Sequence, residues 1–253
     1  MALRKGFGGW LSRMLAYGTD WLCLPHLETF IVEIVTRRIR TLPADEALRS
    51  LFRLQAAFYP VVGRKAVEYG GGTHTKHRHT RYHDFFTSRV RREERVLDVG
   101  CGIGAVAYDL AERSGAWVVG VDLSPENIET ARHRYRHPRV EYRVEDGLRG
   151  SQEGRFDVVV LSNILEHLPE RPAFLRRIQH AVQPSRMLIR VPLFERDWQV
   201  PLKRELGVEW RLDQTHETEY TLESFADEIT NAGCRIVHQE VRWGEIWAEV
   251  RAA

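Results

Sequence analysis

From Arg95 to the end of the chain, short β-branched runs alternate with longer segments of helical periodicity, and few folds accept that alternation. It predicts a parallel sheet built from βαβ units. Strands are expected at 95–99, 117–121, 140–144, 156–161 and 186–191, with helices at 105–113, 125–135 and 170–182. A helix at 221–232, opened by Thr221 with Glu223 and Ser224 close by, precedes two closing strand-like runs, RIVHQEV and EIWAEV. The length of 253 residues suits a large α/β domain with an added segment.

That added segment is the front of the chain. Pro25 opens a run in which Leu27, Phe30, Ile31, Ile34, Val35, Ile39 and Leu42 keep helical spacing, and Asp45 to Tyr59 continues it with Leu48, Leu51, Phe52 and Phe58. Gly70, Gly71 and Gly72 mark the expected joint, giving a helical extension at 1–72 and the sheet domain at 73–253. Residues 1–95 hold 17 Lys/Arg against 9 Asp/Glu, while the remainder holds 20 against 26. A basic front suits an anionic substrate, lipid head groups or nucleic acid, and equally a solvated helical surface. Phe7, Trp10, Leu11, Met14 and Leu15 form an apolar stripe beside Arg4, Lys5 and Arg13, as in a helix lying on a membrane or docked on its own core. No uncharged run approaches the ~18 residues of a spanning helix, and three scattered cysteines signal neither disulfides nor a thiolate zinc site, so the cytoplasm is the expected compartment.

The stretch RVLDVGCGIGA closes the first strand on Gly100, Gly102 and Gly104. Gly100 and Gly104 permit a tight turn, and Gly102 lets the backbone approach a ligand that a Cβ would repel. Asp122 ends the second strand, where a carboxylate can accept from both ribose hydroxyls, so a nucleoside-containing cofactor is expected at the carboxyl ends of the strands. The glycines also satisfy the looser dinucleotide pattern. Asp98 favours the other reading, because a carboxylate there opposes a pyrophosphate and suits the cationic amino group of S-adenosylmethionine. Glu145 and Asp146, before Gly147, end the third strand within reach of an adenine amino group.

RVLDVGCGIGA, VVGVDLSPENIETA, VEDG and FDVVVLSNILEHLPE resemble, in order and spacing, the successive motifs of class I S-adenosylmethionine-dependent methyltransferases over about residues 74–192. NILEHL is most similar to small-molecule O-methyltransferases of the ubiquinone pathway and to relatives acting on sugars and lipids. The resemblance implies a Rossmann-like, doubly wound α/β sheet of seven strands with an antiparallel last strand. It also implies that Asp98, Gly100, Cys101, Gly102 and Gly104 surround the methionine part of the cofactor, that Asp122 holds the ribose and Asp146 the adenine, and that Leu123 and Gly147 bind the cofactor as well. Asn163 would sit beside the methionine, and Arg78 would meet its carboxylate.

Methyl transfer is a direct displacement, so alignment dominates. A hydroxyl acceptor must still lose its proton, and a His or Glu base contributes roughly 10²–10⁴-fold. Glu166 and His167 follow the fourth strand and His216 lies in the loop DQTHETEYT; these three are the catalytic candidates. His74, His77, His79 and His83 lie close together, but Lys76, Arg78 and Arg81 among them oppose a divalent cation, so no metal site is expected. That segment instead reads as a helix closing over the cofactor with Tyr82, Phe85 or Phe86. Trp243 and Trp247 are expected on one side of a single strand, at a covered sheet edge or a subunit contact.

The first function expected is therefore methyl transfer from S-adenosylmethionine to a small molecule, at oxygen by the resemblance, on a sugar, glycolipid or isoprenoid-type acceptor. A nucleic-acid methyltransferase is the alternative, since a basic front can grip phosphates. SNILEHL, however, lacks the Asn/Asp-Pro-Pro-aromatic motif that amino-directed nucleic-acid methyltransferases share. A nicotinamide-dependent oxidoreductase and a non-catalytic module also stay open, as do peripheral membrane contact and a homo-oligomer.

Overall fold

The computed structural model describes residues 24–147 and 155–253. The expected stripe from Phe7 to Leu15 lies outside the described residues. The chain divides into two compact units, Met1–Ala57 and Phe58–Ala253. In the first, α1 (Leu24–Ile39) begins with Pro25 at a position where its missing N–H costs nothing. Among the described residues α1 has no buried side chain. The next helix, α2 (Ala44–Tyr69), runs about ten residues beyond the expected Tyr59 and carries Pro60 inside it. The division between units therefore falls within this helix, upstream of the glycine joint read from sequence. Among the described residues no helix is long and apolar enough to cross a membrane.

The second unit is a seven-stranded sheet. Its strands are β1 (Arg95–Val99), β2 (Trp117–Asp122), β3 (Val140–Val144), β4 (Val158–Ser162), β5 (Arg186–Pro192), β6 (Cys234–Arg242) and β7 (Glu245–Ala252). The order is β3-β2-β1-β4-β5-β7-β6, with β1 to β5 parallel and β7 antiparallel to both neighbours. The strand order reverses between β1 and β4, so the crevice at their carboxyl ends is where this kind of sheet binds ligands.

Helices cover both faces because the central strands are apolar on both. On one face α7 (Arg171–Val182) and α9 (Leu222–Asn231) lay Phe174, Leu175, Ile178, Phe225 and Ile229 against Leu97, Val99 and Ile189. Thr221 opens α9 as expected, and it does so through a capping box in which Thr221 and Ser224 exchange hydrogen bonds. On the other face α4 (Tyr82–Thr87), α5 (Ala105–Ser114) and α6 (Pro125–Arg134) pack Phe85, Phe86, Leu110 and Ile128 over Val96, Val158 and Trp247.

Two local readings differ from the structure. The His-rich segment is two helices, α3 (Lys76–Thr80) and α4, because Arg81 adopts a left-handed conformation at φ 53° and breaks the run. Its aromatics Tyr82, Phe85 and Phe86 are core residues. Trp243 and Trp247 do not share a strand: Trp243 stands in the β6–β7 turn at φ 54°, exposed, while Trp247 is buried in β7. A short helix, α8 (Gln199–Glu205), had no sequence signal strong enough to predict.

Phe86 is fully buried. Replacement by Ala is expected to cost about 3–5 kcal/mol, read as a lower urea midpoint with an unchanged slope.

Candidate functional site

The first turn after β1 is held from two strands away. Gly100, Gly102 and Gly104 all have positive φ, at 68°, 54° and 87°. A Cβ on Gly100 would lie 2.0 Å from Ile164 Cδ1, and one on Gly104 would lie 2.7 Å from the Tyr142 ring, so these glycines let neighbours close in. A Cβ on Gly102 would meet nothing within 4 Å, which leaves that backbone open to a ligand. Cys101 turns its sulfur into the core beneath the loop, against Gly120. Burial pushes its thiol well above the ordinary range.

Asp122 has a role the sequence did not reveal. Its Oδ2 accepts the Gly102 N–H at 2.9 Å, while Oδ1 accepts from the Ser124 N–H at 2.9 Å and from Asn127 Nδ2 at 3.2 Å. A carboxylate offers about four acceptor sites, so room for one ribose hydroxyl remains on Oδ2 while the loop bond stays. A cavity of about 210 Å³ opens beside it, lined by Gly100, Asp122, Leu123, Asp146, Gly147 and His167 among others. Val99, Val121, Ile164 and Leu168 make most of that lining apolar, as a flat heterocycle requires.

Beneath the loop, at the ends of β1 and β4, two acceptor oxygens lack partners among the described residues. Asp98 is fully buried, and burial, followed by the charge of Asp122, pushes its pKa up to about 7. Its Oδ2 and the Oδ1 of Asn163 are buried without hydrogen-bond partners. Asn163 is held at φ 58° while its N–H donates to the Arg190 carbonyl. Two orphaned acceptors at the ends of adjacent strands fit an incoming ammonium group. Arg78, expected at the cofactor carboxylate, lies with its guanidinium 5.6 Å from the centre of the Tyr69 ring and lines a second cavity with Arg81, Ala105 and Arg113.

The three catalytic candidates come together. One ligating atom from each of Glu166, His167 and His216 lies within 4.8 Å of the others. Glu166 and His167 belong to a 3-10 turn, Leu165–His167, and the His216 loop is tied to it where the N–H groups of Glu217 and Thr218 donate to the Glu166 carbonyl. Thr215 Oγ1 donates to Asp213 at 2.8 Å, so it accepts from His167 Nδ1 at 2.9 Å and leaves Nε2 of His167 as the lone-pair nitrogen. Burial lowers the pKa of His167, and the neighbouring His216 adds to this. His216 sends Nδ1 to Glu219 at 3.2 Å. Glu219 also accepts from Arg196 and from the Leu212 N–H, and these bonds outweigh its burial and hold it ionised. Sequence reasoning missed Glu219 and Arg196, because carboxylates and arginines are common in loops and only folding sets these beside His216. Both oxygens of Glu166 are buried without partners, and burial pushes its pKa up to about 8.

The sheet order, the crevice at its reversal and the open glycine loop beside Asp122 place the chain in the doubly wound α/β class that holds nucleoside-containing ligands at this end of the sheet. A family model described as a methyltransferase domain matches residues 72–239, and the chain belongs to that methyltransferase family, whose cofactor is S-adenosylmethionine. It is 40% identical over 103 residues to the ubiquinone biosynthesis O-methyltransferase of Neisseria meningitidis serogroup C (strain 053442), a match covering 38% of this chain and 43% of that protein. It is 30% identical over 149 residues to the 2-methyl-6-phytyl-1,4-hydroquinone methyltransferase of Synechocystis, covering 54% and 45%. The chain thus spans less than half the length of these curated relatives. Among solved structures, magnesium protoporphyrin IX methyltransferase from Synechocystis with bound S-adenosylhomocysteine shares the fold, with a TM-score of 0.55 at 16% identity over 69% of this chain and 84% of that one.

Asp98 and Glu166 set a pH dependence of stability. Each has a folded pKa above its unfolded value, so the stability it contributes is present at low pH and lost as pH rises through about 7 and 8. Asp98→Asn is therefore expected to raise the ligand-free melting temperature at pH 8 and to lose that advantage near pH 4, as checked by calorimetry across pH.

Proposed function

We propose that the protein transfers a methyl group from S-adenosylmethionine to a hydroxyl of a small acceptor of the quinol or phenol type. The observation that carries this reading is the place of His167. It lines the apolar cavity and also belongs to the cluster with His216 and Glu166. The name of the Neisseria relative, an O-methyltransferase of ubiquinone biosynthesis, supports oxygen, and both names support a quinone-type ring over a sugar or a nucleic acid.

The residues present fit the cofactor. Asp98 and Asn163 would take the amino group, Gly102 the backbone approach, Asp122 one ribose hydroxyl, and Asp146 with Leu123 the adenine side. When bound, S-adenosylmethionine supplies a methyl group on positively charged sulfur. The protein's own work is to align and deprotonate the acceptor. His167 Nε2 accepts the acceptor's proton; Thr215, backed by Asp213, holds the Nδ1–H that the resulting imidazolium needs. The Glu219–His216 pair stands beside it, with the two imidazoles edge to face at 4.7 Å.

A second reading of the same cluster follows from the bare oxygens of Glu166. Together with nitrogens of His167 and His216 they offer three donors to one divalent cation, which would polarise the acceptor hydroxyl.

His167→Gln is expected to lower turnover on a catechol or quinol acceptor roughly 10²–10⁴-fold while leaving the dissociation constant for S-adenosylhomocysteine unchanged. Methyl-labelled cofactor with fractionated extract reads the transfer. Equal turnover in the variant removes His167 as the base. The two readings separate on chelation: with His167 alone as base, activity survives EDTA. If a cation is held, EDTA abolishes activity and Mg²⁺ or Mn²⁺ restores it.

A further inference from the structure

The glycine loop is gripped at two points, neither of them visible in the motifs. Asp122 holds the Gly102 N–H. Two residues on, the Gly104 carbonyl faces the hydroxyl of Tyr142, which lies within β3, at the far edge of the sheet, with its side chain buried under the loop. The ring sits so close that a Cβ on Gly104 would be 2.7 Å from its Cε1 and hydroxyl, and one on Gly120 would be 3.1 Å from its Cδ1. The hydroxyl lies 3.1 Å from the Gly104 oxygen and 3.0 Å from the Tyr135 oxygen at the end of α6. A phenol has one proton and both neighbours are carbonyls that can only accept, so the hydroxyl donates to the two in one shared, three-centre bond. Burial drives the phenol's pKa upward, so the proton is retained at any working pH.

We propose that Tyr142 is a positioning residue for the cofactor: its hydroxyl fixes the carbonyl of the third loop glycine and thereby the curvature that keeps Gly102 open to the ligand. The proposal rests on the cofactor reading above. Between the two grips stand only Gly102, Ile103 and Gly104, so the stretch that meets the ligand is pinned at its amide on one side and at its carbonyl on the other. A loop fixed before binding spares the ligand the cost of ordering it. Tyr142 acts only through the loop, because the cavity beside Asp122 does not include it among its lining residues.

The test is Tyr142→Phe in the full chain, which keeps the ring and removes the hydroxyl. S-adenosylhomocysteine is expected to bind about 3- to 10-fold more weakly, as befits one lost hydrogen bond, with turnover at saturating cofactor unchanged. Hydrogen exchange in a ligand-free peptide spanning residues 99–108 is expected to quicken, and saturating ligand to restore its protection. Tyr142→Leu, which also withdraws the ring from Gly104, is expected to weaken binding further. An unchanged dissociation constant with a lowered melting temperature assigns Tyr142 to stability alone and overturns the proposal, as does a Phe variant that fails to fold. Failure of the unsubstituted protein to bind S-adenosylhomocysteine removes the cofactor reading itself, and this proposal with it.

Discussion

The structure depends on how the chain leaves β1. A strand buried on both faces must turn within Gly100–Gly104 into a helix that covers one of those faces, and the turn has few backbone bonds of its own. Its amides and carbonyls are satisfied from outside: Cys101 N–H by the Val121 carbonyl, Gly102 N–H by Asp122, and Gly104 oxygen by Tyr108 N–H and Tyr142. Each of these partners comes from another strand or from the following helix. The loop therefore forms only when the sheet does, and the cofactor end of the molecule is a product of the fold's most central packing.

Around that turn the protein leaves negative and acceptor groups uncompensated. Among the described residues, Asp98, Asn163 and Glu166 hold buried oxygens with no donor, while the guanidinium of Arg190 nearby is engaged with Glu245 at 2.5 Å and with Ser162. Burying an unpaired acceptor costs free energy, and natural proteins hold few of them. Here three lie at the ends of β1 and β4, which is where a ligand bearing positive charge would restore the balance. Electrostatics and topology thus converge on one end of the sheet.

Much of this was legible because it is local. β-branched runs placed β1 to β5 within one or two residues, Thr221 with Ser224 placed α9, and glycine spacing placed the loop. The catalytic candidates were legible by their position after β4 and in the loop before the last helix, and folding brings them together. The rest depends on contacts distant in sequence. Arg78 was placed by its distance from the first motif, while the left-handed break at Arg81 and the nearness of its guanidinium to the Tyr69 ring follow from folding and not from that distance. Trp243 was misplaced because a turn residue with positive φ looks, in sequence, like one more member of a strand. The second duty of Asp122, and the contributions of Glu219, Arg196 and Tyr142, are hydrogen bonds to loops whose course no periodicity encodes.

The His216 loop hangs from the Glu166 carbonyl by two amides, at 2.7 and 3.3 Å. Glu166 is itself part of the turn that ends β4, whose Ile164 closes against Gly100. On the proposed function, the histidine cluster and the glycine loop meet through this one turn, so a shift of the histidines would be felt at Gly100. The line along which a methyl group would travel would then be cast into the backbone, with substrate choice left to whatever borders that line from outside.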